Sequence, residues 1–221
     1  VAFSPDGQMV VAGTRDGSVV AWTIPDGRQG LPLRKVHQDS VRAIAFYPDG
    51  TRLITASRDT TLLILCPSSG SVLLGPLRGH TQCIISVAIS PDGCFIFSGD
   101  KAGILRCWCV FSGSEECLIC RAVPTVVRCV TFSPDGQMIV AGTRDGSVAA
   151  WSTLDGSQGL PLRKVHQDSV RAIAFYPDGT RLVTASRDAT LLILCPSSGS
   201  VLLGPLRGHT QCIISVAISP D

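Results

Sequence analysis

His37, Ser57 and Asp59 are the residue types of a hydrolase triad, and the same set returns 129 residues on as His166, Ser186 and Asp188. A nucleophilic serine needs a base, an orienting acid and an oxyanion hole gathered at one exposed site. Recurrence in register points instead to a framework role. Cys107, Cys109, Cys117 and Cys120 could be read as a four-thiolate zinc site. Cys109, however, shares a repeating slot with Cys66 and Cys195, where other copies have Thr23 and Ser152. Residues that exchange with Ser and Thr at one strand position read as small packing groups. Reduced, metal-free thiols are therefore expected. No glycine-rich phosphate loop is present, because the glycines sit at turns. No cofactor and no enzymatic activity are expected. The remaining set is basic: Arg15, Arg58, Lys101, Arg144 and Arg187 fill one position at intervals of 43 residues.

The same interval organises the whole chain. Pro-Asp-Gly starts at Pro5, Pro48, Pro91, Pro134 and Pro177, and Pro220-Asp221 opens a sixth copy. A fixed period of this length marks a repeat architecture. Pro presets φ, Asp bonds the local backbone, and Gly takes the positive φ that closes a hairpin. Within residues 40–82, four short β signals follow one another. They are Val41–Phe46, Arg52–Ser57, Thr61–Cys66 and a strand beginning at Ser71–Leu74. Short strands at this spacing with turns between them argue for an all-β fold, and four-stranded units repeated radially make propeller blades. Five blades are expected at 1–39, 40–82, 83–125, 126–168 and 169–211, with the first strand of a sixth at 212–221. A longer period lies above the first. Residues 1–92 match 130–221 with nine differences, so three blades are duplicated.

The blocks Val-Ala-Phe-Ser-Pro-Asp-Gly and Ala-Gly-Thr-Arg-Asp-Gly-Ser, a Trp at 22, 108 and 151, and Leu-Arg-Gly-His at 77–80 and 206–209 together resemble the WD-repeat (WD40) family. The resemblance covers the whole chain. It implies a β-propeller that serves as a non-enzymatic protein-interaction scaffold, in a family whose propellers usually have about seven blades. It also implies, in each blade, a hydrogen-bonded tetrad of His, Ser or Thr, Asp and Trp. By position, the second blade offers His37, Ser57 and Asp59 and the fifth His166, Ser186 and Asp188, with Leu65 and Leu194 in place of Trp. The third offers His80 and Trp108, with Asp100 and Ala102 in the other two slots. The fourth offers Thr143, Asp145 and Trp151, and the first Thr14, Asp16 and Trp22. No tetrad is expected to be complete. The phrase Leu-Leu-Gly-Pro-Leu-Arg-Gly-His also resembles the propeller arrays of fungal NACHT-type signalling ATPases, where the propeller is the sensing end.

Net charge is +2, from 19 Lys and Arg against 17 Asp and Glu, so the total charge selects no partner class. Position is more informative. Alternate turns of a meander share an end, which puts the five turn cations with the blade-to-blade connections and Pro-Asp-Gly opposite. A closed or arced propeller would array them around one mouth, with Arg42, Arg128 and Arg171 nearby at the start of the first strand. An acidic or phosphorylated protein or peptide partner is expected there, and nucleic acid is the alternative. No run reaches the roughly 18 apolar residues of a membrane span. The thiols favour a reducing compartment, hence the cytoplasm or nucleus. The chain opens on Val1 inside a strand pattern and stops inside a turn, as expected of a piece of a longer protein.

Overall fold

The structure, a computed structural model, describes residues 1–24, 26–110 and 117–219, with the side chains of all but 31–33 and 117–121. Its strands form five antiparallel sheets of four. The first holds β1 (Ala2–Phe3), β2 (Met9–Gly13), β3 (Ser18–Thr23) and β4 (Gln29–Lys35). The second holds β5 (Val41–Phe46), β6 (Leu53–Ser57), β7 (Leu62–Leu65) and β8 (Val72–Leu77). The third holds β9 (Ile84–Ile89), β10 (Phe95–Asp100), β11 (Ile104–Cys109) and β12 (Cys117–Ala122). The fourth holds β13 (Val127–Phe132), β14 (Met138–Thr143), β15 (Ser147–Ser152) and β16 (Gln158–Lys164). The fifth holds β17 (Val170–Phe175), β18 (Leu182–Ser186), β19 (Leu191–Leu194) and β20 (Val201–Leu206). Each sheet is a meander in chain order, the arrangement expected of a propeller blade.

The Pro-Asp-Gly hairpins close as their chemistry requires. Gly50, Gly93, Gly136 and Gly179 each donate their N–H to the carbonyl three residues back at 2.9 Å, with φ between 69° and 72°. Only glycine adopts that φ at no steric cost.

The chain divides into two compact units. One is Val1–Lys101 with Arg106–Cys120; the other is Ala102–Leu105 with Arg121–Asp221. Apolar layers lie between neighbouring sheets within each unit. In the first unit, Val11, Val19 and Ala21 of one sheet meet Val41, Leu53, Leu63 and Leu65 of the next. Ile54, Leu62, Ile64 and Leu77 in turn meet Ile84, Ile96 and Trp108. In the second, Val140, Val148 and Ala150 meet Val170, Leu182 and Leu194. Gly13 and Gly142 bring these layers together, since a Cβ on either would collide with Val41 or Val170 of the following first strand. Val41 and Leu53 are buried in the first of these layers, with Ile44 and Phe46 half-buried against it, and Leu62 and Ile64 are buried in the second. Tyr47 is fully buried beside Phe46.

Residues 212–219 carry no strand, although they repeat the sequence of 83–90. In the earlier copy, Ile84–Ile89 pairs with Phe95–Asp100. Ile213 is nevertheless buried and donates its N–H to the Ser186 carbonyl at 3.1 Å.

Candidate functional site

The buried histidines are held from both ring nitrogens. His37 Nδ1 lies 3.0 Å from Asp59 Oδ2, and its Nε2 lies 2.8 Å from Thr55 Oγ1. His166 repeats this with Asp188 at 3.0 Å and Thr184 at 2.8 Å. Thr55 and Thr184 therefore replace Ser57 and Ser186 as the tetrad hydroxyls. Ser57 Oγ instead donates to the Asp39 carbonyl at 2.9 Å, with Asp59 N–H 3.1 Å away, and Ser186 does the same with Asp168 and Asp188. The serine closes the turn, two residues along the strand from the ring. The third blade differs from expectation more sharply, because its tetrad is complete. His80 Nδ1 sits 2.7 Å from Asp100 Oδ2 and Nε2 2.7 Å from Ser98 Oγ, and Trp108 Nε1 donates to the same Ser98 oxygen at 2.9 Å. The carboxylate has moved from the Asp59 slot to the Ser57 slot. Asp100 is the last residue of β10, two residues from Ser98 and so on the same face of the strand, from which both side chains reach the imidazole.

A sequence signal for these hydroxyls existed. Thr55, Ser98 and Thr184 occur in the blades preceded by His37, His80 and His166, while Ala141 accompanies Val123. Thr14 and Asp16, like Thr143 and Asp145, bond each other within their own turns. Trp151 is buried, with Val123 in place of a histidine in the connection leading to its blade, and Trp22 is half-buried. Burial pushes His37 and His166 below their ordinary 6.5, and the neighbouring Asp59 and Asp188 only partly offset it. Asp59 and Asp188 lie below the usual 3.8: burial raises each most, but hydrogen bonds from Thr61 and Gln38, or Thr190 and Gln167, outweigh it.

The turn cations sit where the meander puts them. The backbone N–H of Arg58, Lys101, Arg144 and Arg187 bonds the carbonyl of Ser40, Cys83, Val126 and Ser169, just ahead of each first strand. The first unit thus carries Arg15, Arg58 and Lys101 at the connection end of its blades, and the second carries Arg144 and Arg187; all five are exposed. The separation of charge between ends is weaker than the turn slots alone suggest. Arg58 pairs with Asp39 at 3.6 Å and Arg187 with Asp168 at 3.7 Å. At the Pro-Asp-Gly end, Arg52 pairs with Asp49 and Arg181 with Asp178. Of the first-strand arginines, Arg42 is exposed while Arg128 and Arg171 are half-buried.

A family model described as WD domain, G-beta repeat, matches residues 1–23, 30–64, 71–109, 117–152 and 159–193. The chain belongs to the WD40-repeat family. From the second match on, each WD40 repeat opens on the fourth strand of one blade and ends on the third strand of the next. The sequence repeat is therefore one strand out of phase with the sheet, which links consecutive blades covalently. WD40 repeats generally act as protein-interaction scaffolds and are typically non-enzymatic.

The WD40 framework also accounts for the triad-like residues. Ser57 is buried and spent on backbone, and His37 faces Thr55 instead, so no serine is poised for attack beside that base. Among the thiols, Cys83 and Cys107 are buried packing groups. Cys66 and Cys195 depart from that expectation. They lie half-exposed at the end of the third strand, where Ser68 with Ser69, and Ser197 with Ser198, bring each thiol down to about 7. The side chains of Cys117 and Cys120 lie outside the described residues.

Proposed function

We propose that the chain is a recognition scaffold that docks an acidic segment of a partner protein on the connection end of its blades. The observation that carries this is the turn slot. It holds Arg15, Arg58, Lys101, Arg144 and Arg187, and backbone bonds to the start of the first strand hold four of them at that end. Guanidinium groups recognise carboxylate and phosphate through paired, charge-assisted bonds. The reading extends to a sensing role in a larger cytoplasmic signalling protein, supported by the phrase at 73–80 and its copy at 202–209. The competing reading is a nucleic-acid partner, bound through the same turn-slot cations.

The test is charge reversal in both units, Arg58→Glu with Arg187→Glu, read against a fluorescent Asp/Glu-rich peptide. Binding is expected to fall at least about 10-fold. Thermal stability should barely move, because exposed ion pairs such as Arg58–Asp39 contribute only about 0–1 kcal/mol. If binding survives and is lost on changing Asp49 and Asp178 instead, the docking end is the opposite one. Tighter binding of single-stranded RNA, with a steep salt slope, would favour the nucleic-acid reading.

A further inference from the structure

The slot of Arg42, Arg128 and Arg171 is filled by Ile85 and Ile214 in the other copies. β13 and β17 pack side by side, and they are the neighbouring first strands that both carry the arginine. Both side chains are half-buried, and the Nε atom of each is buried with no hydrogen-bond partner among the described residues. Burial lowers Arg128 from its ordinary value, and the charges of Arg171, Arg144 and Arg187 lower it further. Asp168 pairs with Arg187 at the rim, and no described ion pair reaches the other three. Arg128, Arg144, Asp168, Arg171 and Arg187 all lie in the second unit.

Like charges held together with unpaired, buried N–H groups are destabilising unless an anion completes them. One carboxylate can neutralise a single charge. A phosphoryl group brings up to two charges and three acceptor oxygens, enough to take an N–H from each guanidinium. The pair is also recessed, since Arg128 and Arg171 are half-buried while Arg144 and Arg187 are exposed. A phosphate on the end of a side chain reaches such a place more readily than one in a continuous nucleic-acid backbone. We propose that Arg128 and Arg171 form a phosphate subsite that takes a phosphorylated serine or threonine of a partner protein, with Arg144 and Arg187 at its rim. This rests on the acid-docking reading above and names the chemical group it anchors.

The full chain is tested with inorganic phosphate against chloride at matched ionic strength, following the thermal midpoint. It is then tested with a fluorescent phosphoserine peptide against its serine and glutamate versions. Phosphate should raise the midpoint, as any ligand of the native state does. The phosphoserine peptide should bind at least about 10-fold tighter than the glutamate peptide, the scale of one extra charged hydrogen bond. Arg128→Gln with Arg171→Gln should abolish both effects while leaving the midpoint in chloride equal or higher, because the repulsion is gone. Arg128→Lys with Arg171→Lys, which keeps the charge and loses the planar fork, should bind phosphate weakly and serves as the readout if the Gln pair does not fold. The subsite is wrong if phosphate acts no differently from chloride, if its effect persists in the double variant, or if phosphoserine binds no better than glutamate. Single-stranded RNA outcompeting the phosphopeptide would also overturn it. If the Arg58 and Arg187 reversal lowers acidic-peptide binding while the Arg128 and Arg171 changes leave the phosphopeptide unaffected, only the subsite fails. If that reversal leaves acidic-peptide binding intact, the docking reading is what fails.

Discussion

Ser98 and Ser57 look interchangeable as serines of the second strand, yet the structure gives them different weights. Ser98 Oγ faces His80 Nε2 and accepts from Trp108 Nε1, all three groups being buried. Ser98→Ala leaves two buried polar groups without that partner, at about 1–3 kcal/mol each. A total loss of about 2–6 kcal/mol is expected in chemical denaturation. Ser57→Ala removes one bond to the Asp39 carbonyl in the connection and one from the Asp59 N–H in the turn, neither touching the imidazole, and should cost about 1 kcal/mol. Thr55→Val should exceed it, because His37 Nε2 then faces a methyl group. Equal losses at Thr55 and Ser57 would contradict the assignment of the hydroxyl slot.

The turns between second and third strands differ at the scale of the element. Gly17, Gly103 and Gly146 hold φ of 92°, 84° and 91°, and each carbonyl accepts N–H groups from the exit of the fourth strand. A Cβ at Gly146 would run into the carbonyls of His166 and Asp168. The second and fifth blades have Thr60 and Ala189 in this slot, at φ 73° and 65°, and their glycine appears in the exit instead, as Gly79 and Gly208. The permissive residue thus moves from one side of the contact to the other. Gly146→Ala should destabilise by about 3 kcal/mol, combining the left-handed backbone with the collision. Ala189→Gly should change stability by less than about 1 kcal/mol, since relief of strain and gain of unfolded-state entropy oppose each other. Thermal melts of the two variants decide between these outcomes.

For the molecule as a whole, the phase shift between repeat and sheet means that a His leading one blade is delivered by the connection from the blade before. His37 and His166 are buried this way in the two units, and both sit below 6.5. In the unfolded chain they take up protons first as pH falls, so the stability from burying them neutral is complete above about 6.5. It is lost as pH drops through the lower folded values. Asp59 and Asp188, held below 3.8, add a further loss at lower pH in the same direction. The thermal midpoint should therefore fall between about pH 7 and about pH 5, and His37→Gln with His166→Gln should flatten that slope. A wild-type midpoint that rises on acidification over this range would show that the imidazoles are not buried neutral.

The 43-residue period, the Pro-Asp-Gly hairpins and the alternation of apolar residues determined the five four-stranded blades and the end on which each turn cation sits. These follow from local backbone chemistry and from the two-residue period of a strand, both of which are written in the order of residues. Which hydroxyl meets His37, and that Asp100 can stand in for an acid two residues later, depended on how a connection from one blade lies over the strands of the next. Those distances are set by packing across sheets and have no fixed spacing in the chain. The pairing of Arg58 with Asp39, and the placing of Arg128 beside Arg171, are likewise tertiary. A slot records that an arginine is present, but only the neighbouring strand decides whether it finds a carboxylate, open water or another arginine.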